Sequence, residues 1–188
     1  MTKTQNCDQN SERMSNIAFK LMSLLFHLRN IVNPPEKLLN EIGIETGMVV
    51  VDYGCGPGSY IMGASAMVGA GGRVYAVDIH ELAIASVQKL IEKEEINNVI
   101  PVLASGYSST IEDNTADLIY ALDMFHGIGE PDAFLTELHR IVKPGGMLVI
   151  DNGHQSREQA LEKIRHSGVW KIKEEREAFM RCTPVETE

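Results

Sequence analysis

The chain has 188 residues, 44% of them hydrophobic and 23% charged, the balance of one globular domain with a sizeable core. A formal net charge of −9 lacks the basic footprint of DNA or RNA binding, so no nucleic-acid partner is expected. Cys7, Cys55 and Cys182 are odd in number and far apart, which fits neither a disulfide framework nor a zinc site and points to reduced thiols in the cytoplasm.

Residues 1–12 are polar, without the pattern of a secretory leader, and are expected to be disordered. Met14–Val32 carries Met14, Ile17, Leu21, Leu24, Leu28 and Ile31 at helical spacing, and Phe19, Met22 and Phe26 widen the apolar surface. No run of about 18 apolar residues exists, so no transmembrane segment is expected. A helix packed on the domain body is the plain reading. An interfacial membrane helix is disfavoured, because Lys20, His27 and Arg29 make only a weakly basic polar face. Pro34 ends this helix, and Pro35 suits the first turn of the next, Pro35–Ile42, which Gly43 closes.

The β-branched run Val49–Val51 within Met48–Asp52 predicts a buried parallel strand. It leads into Asp52-Tyr53-Gly54-Cys55-Gly56-Pro57-Gly58, where the glycines let main-chain N–H groups approach a ligand closely. Strand, glycine turn and acid together predict a nucleotide-type cofactor at the edge of an α/β sheet. The dinucleotide fingerprint wants its third glycine where this chain has Ser59, so an NAD-dependent oxidoreductase is disfavoured. Ser59–Val68 reads as a helix whose small residues allow close packing on the sheet, and Arg73–Asp78 as the second strand. Asp78 lies 20 residues beyond Gly58, where one carboxylate can take two ribose hydroxyls.

Glu81–Glu95 is the next expected helix and Val99–Leu103 the third strand. Ala116–Leu122 reads as the fourth strand, and Glu130–Val142 as a helix that Pro131 helps to start. Lys143-Pro144-Gly145-Gly146 reads as the turn before a fifth strand, Met147–Ile150. Ser156 is a good N-cap for Arg157–His166. Val169–Glu174 and Phe179–Val185 fit a terminal antiparallel pair, with Pro184 confined to an edge or a strand end.

The pattern D-x-G-x-G-x-G from Asp52 to Gly58, then Asp78, Asp117 and R-I-V-K-P-G-G-M-L-V-I, occur in this order. Together they resemble the class I S-adenosylmethionine (SAM)-dependent methyltransferases, in particular the ubiquinone/menaquinone-biosynthesis-type (type 11) group. The resemblance covers about Glu36–Ile150. It implies an α/β, Rossmann-like three-layer sandwich around a seven-stranded, mostly parallel sheet of order 3-2-1-4-5-7-6, the last strand added being antiparallel. It divides the chain into 1–33, a tail and lid-like helix, and 34–188, the methyltransferase domain. The implied cofactor is SAM, with S-adenosylhomocysteine as product. The implied cofactor-binding residues are Asp52, Tyr53, Gly54, Cys55, Gly56 and Gly58 in the turn, with Asp78 and Ile79 at the ribose. Ser105 and Gly106 stand at the adenine position, where the group commonly has an acid. Leu122 and Asp123 stand at the exit of the fourth strand. That exit often ends in paired histidines in this group; here His126 is followed by Gly127.

Methyl transfer from a sulfonium is an in-line displacement that calls for no metal, and none is expected. Positioning can supply about 7–11 kcal/mol of its catalysis. A general base is needed only when the acceptor arrives protonated. His126 and His154 are the candidate catalytic residues, with Asp123 and Asp151 as further candidates for a base or clamp. His80, His139 and His166 show no metal-ligand pairing and read as ordinary helix histidines. The expected activity is methylation of a small molecule, with an apolar or aromatic acceptor suggested by the Phe/Met/Leu-rich N-terminal helix. A SAM-binding protein without transferase activity, or a methyltransferase for protein or RNA, stays open as the alternative.

Overall fold

A computed structural model describes residues 13–32 and 34–186; the disorder expected over residues 1–12 lies outside them. Seven strands form one sheet: β1 (Val49–Tyr53), β2 (Arg73–Asp78), β3 (Val99–Leu103), β4 (Ala116–Ala121), β5 (Val142–Ile150), β6 (Trp170–Glu175) and β7 (Met180–Pro184). Their order is β3-β2-β1-β4-β5-β7-β6, as the family resemblance implies. β1 to β5 run parallel, and β7 runs antiparallel to both β5 and β6.

The apolar alternation of the strands feeds two layers. Val50, Val74, Leu118 and Val149 pack under α2 (Glu36–Ile42), α3 (Ile61–Val68) and α4 (Glu81–Lys93). Val51, Val77, Ile119 and Leu148 pack under α5 (Pro131–Ile141) and α6 (Arg157–His166), which contribute Phe134, Leu138, Ile141 and Ile164 to that layer. Because both faces are covered, the central strands are apolar throughout rather than alternating with polar residues. Pro101 falls in β3, an edge strand, where a missing donor leaves no ladder bond unmade. Ser156 and Gln159 form a reciprocal capping box on α6, with bonds of 3.1 and 3.2 Å.

Several boundaries differ from the sequence reading, and two of the differences fall in the motifs. β5 starts at Val142, which pairs with Ala116, while Met147 pairs with Leu118. Lys143–Gly146 is therefore a bulge within the strand rather than a turn before it. Asp117 anchors this bulge: it accepts from Lys143 Nζ at 2.7 Å and from the Val49 N–H at 2.8 Å. α3 starts at Ile61 rather than Ser59, because the segment after Cys55 is still turning, with Gly58 N–H bonded to the Cys55 carbonyl at 3.0 Å.

The direction in which strands are added reverses between β1 and β4, since β2 and β3 lie on one side of β1 and β4 and β5 on the other. Such a switch point opens a crevice at the carboxyl ends of the strands. Helix α1 (Asn16–Val32) lies across it, with Phe19, Met22 and Phe26 turned inward. Among the described residues no helix is long and apolar enough to cross a membrane.

Candidate functional site

The crevice holds a cavity of about 320 Å³. Its floor is the exit of β1. Gly54 N–H and Cys55 N–H both bond the Val77 carbonyl, at 2.8 and 3.0 Å, which folds the turn toward β2. Gly54 has φ +85°, and a Cβ there would stand 2.9 Å from Met124 Cγ, so the backbone passes where a side chain has no room. Asp78, at the end of β2, braces this turn. One carboxylate oxygen accepts Gly56 N–H at 2.9 Å and the other His80 N–H at 2.8 Å. Burial pushes the Asp78 carboxyl up, and these two N–H groups pull it back in part.

Asp52 lies beneath the turn, on the side of α3, and is buried. Desolvation raises its pKa to about 8, against a partial lowering by Tyr120 and a further rise from the charge of Asp78. Neither Asp52 Oδ2 nor the Tyr120 hydroxyl has a hydrogen-bond partner of ordinary length, and both are closed to solvent. Asp52 and Tyr120 shift one another's titration, so the acid and the hydroxyl form a buried pair beneath the turn, outside the cavity wall.

The wall on the β3 side is the turn after that strand. Ser105 and Ser108 exchange backbone bonds of 2.9 and 3.1 Å, which presents Gly106 and Tyr107 to the cavity. The Tyr53 hydroxyl donates to the Tyr107 carbonyl, and Glu130 N–H donates to the Tyr107 hydroxyl at 3.0 Å. The roof is α1 with the residues just before it. His80 caps α4 by accepting Leu82 N–H on Nδ1 at 3.1 Å, so its proton is on Nε2, which donates to the Met14 carbonyl at 3.2 Å. The His80 ring stacks on Phe19 at 4.4 Å between centroids. At the other end Arg29 of α1 meets Asp123 at 2.5 Å. Asp123, just past β4, holds φ +61°, a strained backbone for a non-glycine residue.

The far end of the cavity carries two histidines. His126 and His154 stand edge-on, 4.7 Å between ring centroids. Partial burial lowers the His126 pKa first, and the charges of His154 and Lys163 lower it further against Asp123. Asp151, at the end of β5, ties this end together: it accepts Asp123 N–H at 3.0 Å and Gly153 N–H at 3.1 Å. Burial raises the Asp151 pKa to about 6. Gly153 has φ +54°, and a Cβ there would run into His126 Nδ1. Behind His126 a second cleft of about 580 Å³ opens between the start of α5 and α6, lined by polar groups including Lys163 and Gln159.

A family model described as "Methyltransferase domain" matches residues 51–150. The chain belongs to the methyltransferase domain family. Among curated relatives it is 32% identical over 109 residues to the ubiquinone/menaquinone biosynthesis C-methyltransferase UbiE of Hydrogenovibrio crunogenus, a match covering 57% of this chain and 43% of that protein. With UbiE of Shewanella sp. (strain W3-18-1) the identity is 29% over 123 residues, covering 65% and 49%. The chain thus spans about half the length of the curated relatives it matches, or less. Among solved structures, a SAM-dependent methyltransferase from Aquifex aeolicus superposes with a TM-score of 0.77 at 27% identity, covering 91% of this chain and 97% of that one. Fold and family are those of the SAM-dependent methyltransferases, whose cofactor is SAM.

The glycine turn leaves backbone room at the cavity floor, Asp78 lines the cavity beside it, and Asp52 lies beneath the turn. Of the residues expected from sequence, Tyr53, Gly54, Gly56, Asp78, Ile79, Gly106, Leu122, Asp123, His126 and His154 come together on the cavity wall. Asp52, Cys55 and Gly58 are buried outside that wall, Gly58 packing against Val87 of α4. Ser105 is on the exposed outer side of its turn. Sequence reasoning missed Tyr107, Met124, Gly153 and the role of His80, which is buried and ties the roof rather than behaving as an ordinary helix histidine. Met124 and Tyr107 adjoin expected residues, and Gly153 in Asp-Asn-Gly carries the signal of a tight turn. Nothing local marks His80.

Proposed function

We propose that the chain transfers the methyl group of SAM to a small apolar or aromatic acceptor held beneath α1. The observation that carries this reading is the continuity of one cavity, from Asp78 and Gly56, past Met124, to His126 and His154, under Phe19, Met22 and Phe26. Asp78 would hold the ribose, Gly106 and Tyr107 the adenine, and the Gly54–Gly56 backbone the amino-acid end. When bound, SAM would supply an electrophilic methyl group to the acceptor's nucleophilic atom.

The residues of the chain supply the rest. The apolar roof excludes water and fixes the acceptor, and Arg29 on Asp123 holds the roof shut as a lid. Burial and the neighbouring His154 lower the His126 pKa, which favours the neutral ring a base needs to accept a proton from a phenol or an activated carbon acid. Its other side faces the open cleft by α6, which gives the proton a way to water. His154 orients the His126 ring. The names of the UbiE relatives, C-methyltransferases of ubiquinone/menaquinone biosynthesis, support an apolar acceptor. The acidic charge supports a substrate other than nucleic acid. Cys55 and Cys182, buried and unbridged, support work in the reducing cytoplasm.

Titration calorimetry with SAM, S-adenosylhomocysteine and NAD, followed by a labelled-methyl assay on a metabolite extract, tests the proposal. Binding of the first two and label in the small-molecule fraction are expected. Binding without label transfer identifies a SAM-binding protein, and label in protein or RNA identifies a macromolecular substrate; either result overturns the proposal.

A further inference from the structure

Helix α1 has two apolar faces, and the cavity uses one. On the other, Ile17, Leu21, Leu24, Leu25, Leu28 and Val32 are 53% to 85% exposed. At 100° per residue these six fall within an arc of about 100°, roughly opposite Phe19, Met22 and Phe26. They leave roughly 700 Å² of aliphatic surface in water, beyond the few hundred Å² common on a monomer and close to the ~800 Å² per partner of a standard interface.

The order of these residues specifies the partner. The spacings from Ile17 to Val32 are four, three, one, three and four, a pattern that reads the same in both directions. Its centre lies between Leu24 and Leu25. A second copy of α1, laid antiparallel about a two-fold axis at that centre, sets Ile17 against Val32, Leu21 against Leu28, and Leu24 against Leu25. Every exposed aliphatic then meets another, over ~22 Å of helix. Self-complementarity of this kind is what an isologous two-fold interface requires. No charged residue interrupts the stripe.

A lipid surface fits less well. Interfacial helices draw on a strongly basic polar face, and α1 offers little. Arg13 is held by Glu81 at 3.1 Å and Arg29 by Asp123 at 2.5 Å, which leaves Lys20 among the described lysines and arginines of residues 13–32, on a chain whose net charge is −9.

We propose that the chain is a homodimer in which two α1 helices pair antiparallel through this stripe. The inference stands apart from the identity of the methyl acceptor. It also gives the roof its backing: the helix that presses Phe19, Met22 and Phe26 onto each cavity is itself covered by the second copy, so dimer formation and roof closure favour each other.

Sedimentation velocity on the full chain at micromolar concentration is the test. The wild type should sediment as a dimer. L21E/L28E should be monomeric, since each introduced acid meets another across the axis. L21E/L28K should recover the dimer, because each acid then faces an amine; a parallel pair would set like charges together and would not recover. S-adenosylhomocysteine binding by all three proteins shows that they are folded. A monomeric wild type, a dimer that survives L21E/L28E, or a failure of L21E/L28K to recover overturns the proposal. So does a monomer that floats with phosphatidylcholine vesicles containing phosphatidylglycerol, which would make lipid the occupant.

Discussion

Replacing Asp78 by alanine removes two things at once, and the structure lets them be separated. In the proposed cofactor complex the carboxylate would offer its remaining lone pairs to the ribose hydroxyls. Losing charge-assisted bonds of this kind costs ~1.5–3 kcal/mol, which is roughly a 10- to 150-fold rise in Kd. In the cofactor-free protein the same carboxylate accepts Gly56 N–H and His80 N–H, at 2.9 and 2.8 Å. Alanine leaves both donors without an acceptor, at a cost of about 1–3 kcal/mol of stability. Part of that loss is offset, because the buried Asp78 carboxylate carries a desolvation cost that alanine removes. Asp78→Asn keeps one acceptor oxygen and should fall between. Titration calorimetry with S-adenosylhomocysteine measures the first effect, and thermal unfolding without cofactor the second. A folded Asp78→Ala protein with wild-type affinity would refute the ribose assignment. Equal affinity for the alanine and asparagine variants would refute the claim that the acceptor oxygens carry it.

Three further outcomes are expected. Burial raises the Asp52 carboxyl to about 8, which thermal unfolding across pH in the absence of cofactor checks. Since the folded pKa lies above the unfolded value, the folded state holds the extra proton, and stability without cofactor should decline as pH rises from about 4 toward 8. Asp52→Asn should flatten that decline. His126 titrates below the ordinary imidazole range, so the acid limb of kcat/KM should lie below about pH 6.5. His126→Asn should abolish the limb and cost ~10²–10⁴-fold in rate, and a limb that persists argues against His126 as base. Gly153→Ala should displace the His126 ring and lower the rate while leaving S-adenosylhomocysteine affinity unchanged; a fully active variant would show that the ring position is not critical.

The cavity floor was legible because its backbone geometry is written locally. A glycine turn after a β-branched run, with an acid one strand later, fixes backbone room and a carboxylate at the same sheet edge. Capping rules likewise placed Ser156 and Pro131 correctly. What stayed hidden depends on distant partners. Asp117 and Lys143 belong to the motifs that carry the resemblance, yet they pair at the opposite end of the sheet and pin a bulge. His80 looks like any residue before a helix until Met14 and Phe19 arrive from far along the chain. Gly153 matters through a ring 27 residues earlier in sequence. The double apolar face of α1 was visible as width in the pattern, but only packing shows which half the cavity takes.

The most direct test of the site is a crystal structure with S-adenosylhomocysteine. The account predicts the ribose against Asp78, the adenine beside Gly106 and Tyr107, and the sulfur opening toward Met124 and His126 beneath α1. A cofactor bound elsewhere, or bound here with its sulfur turned away from His126, would contradict it.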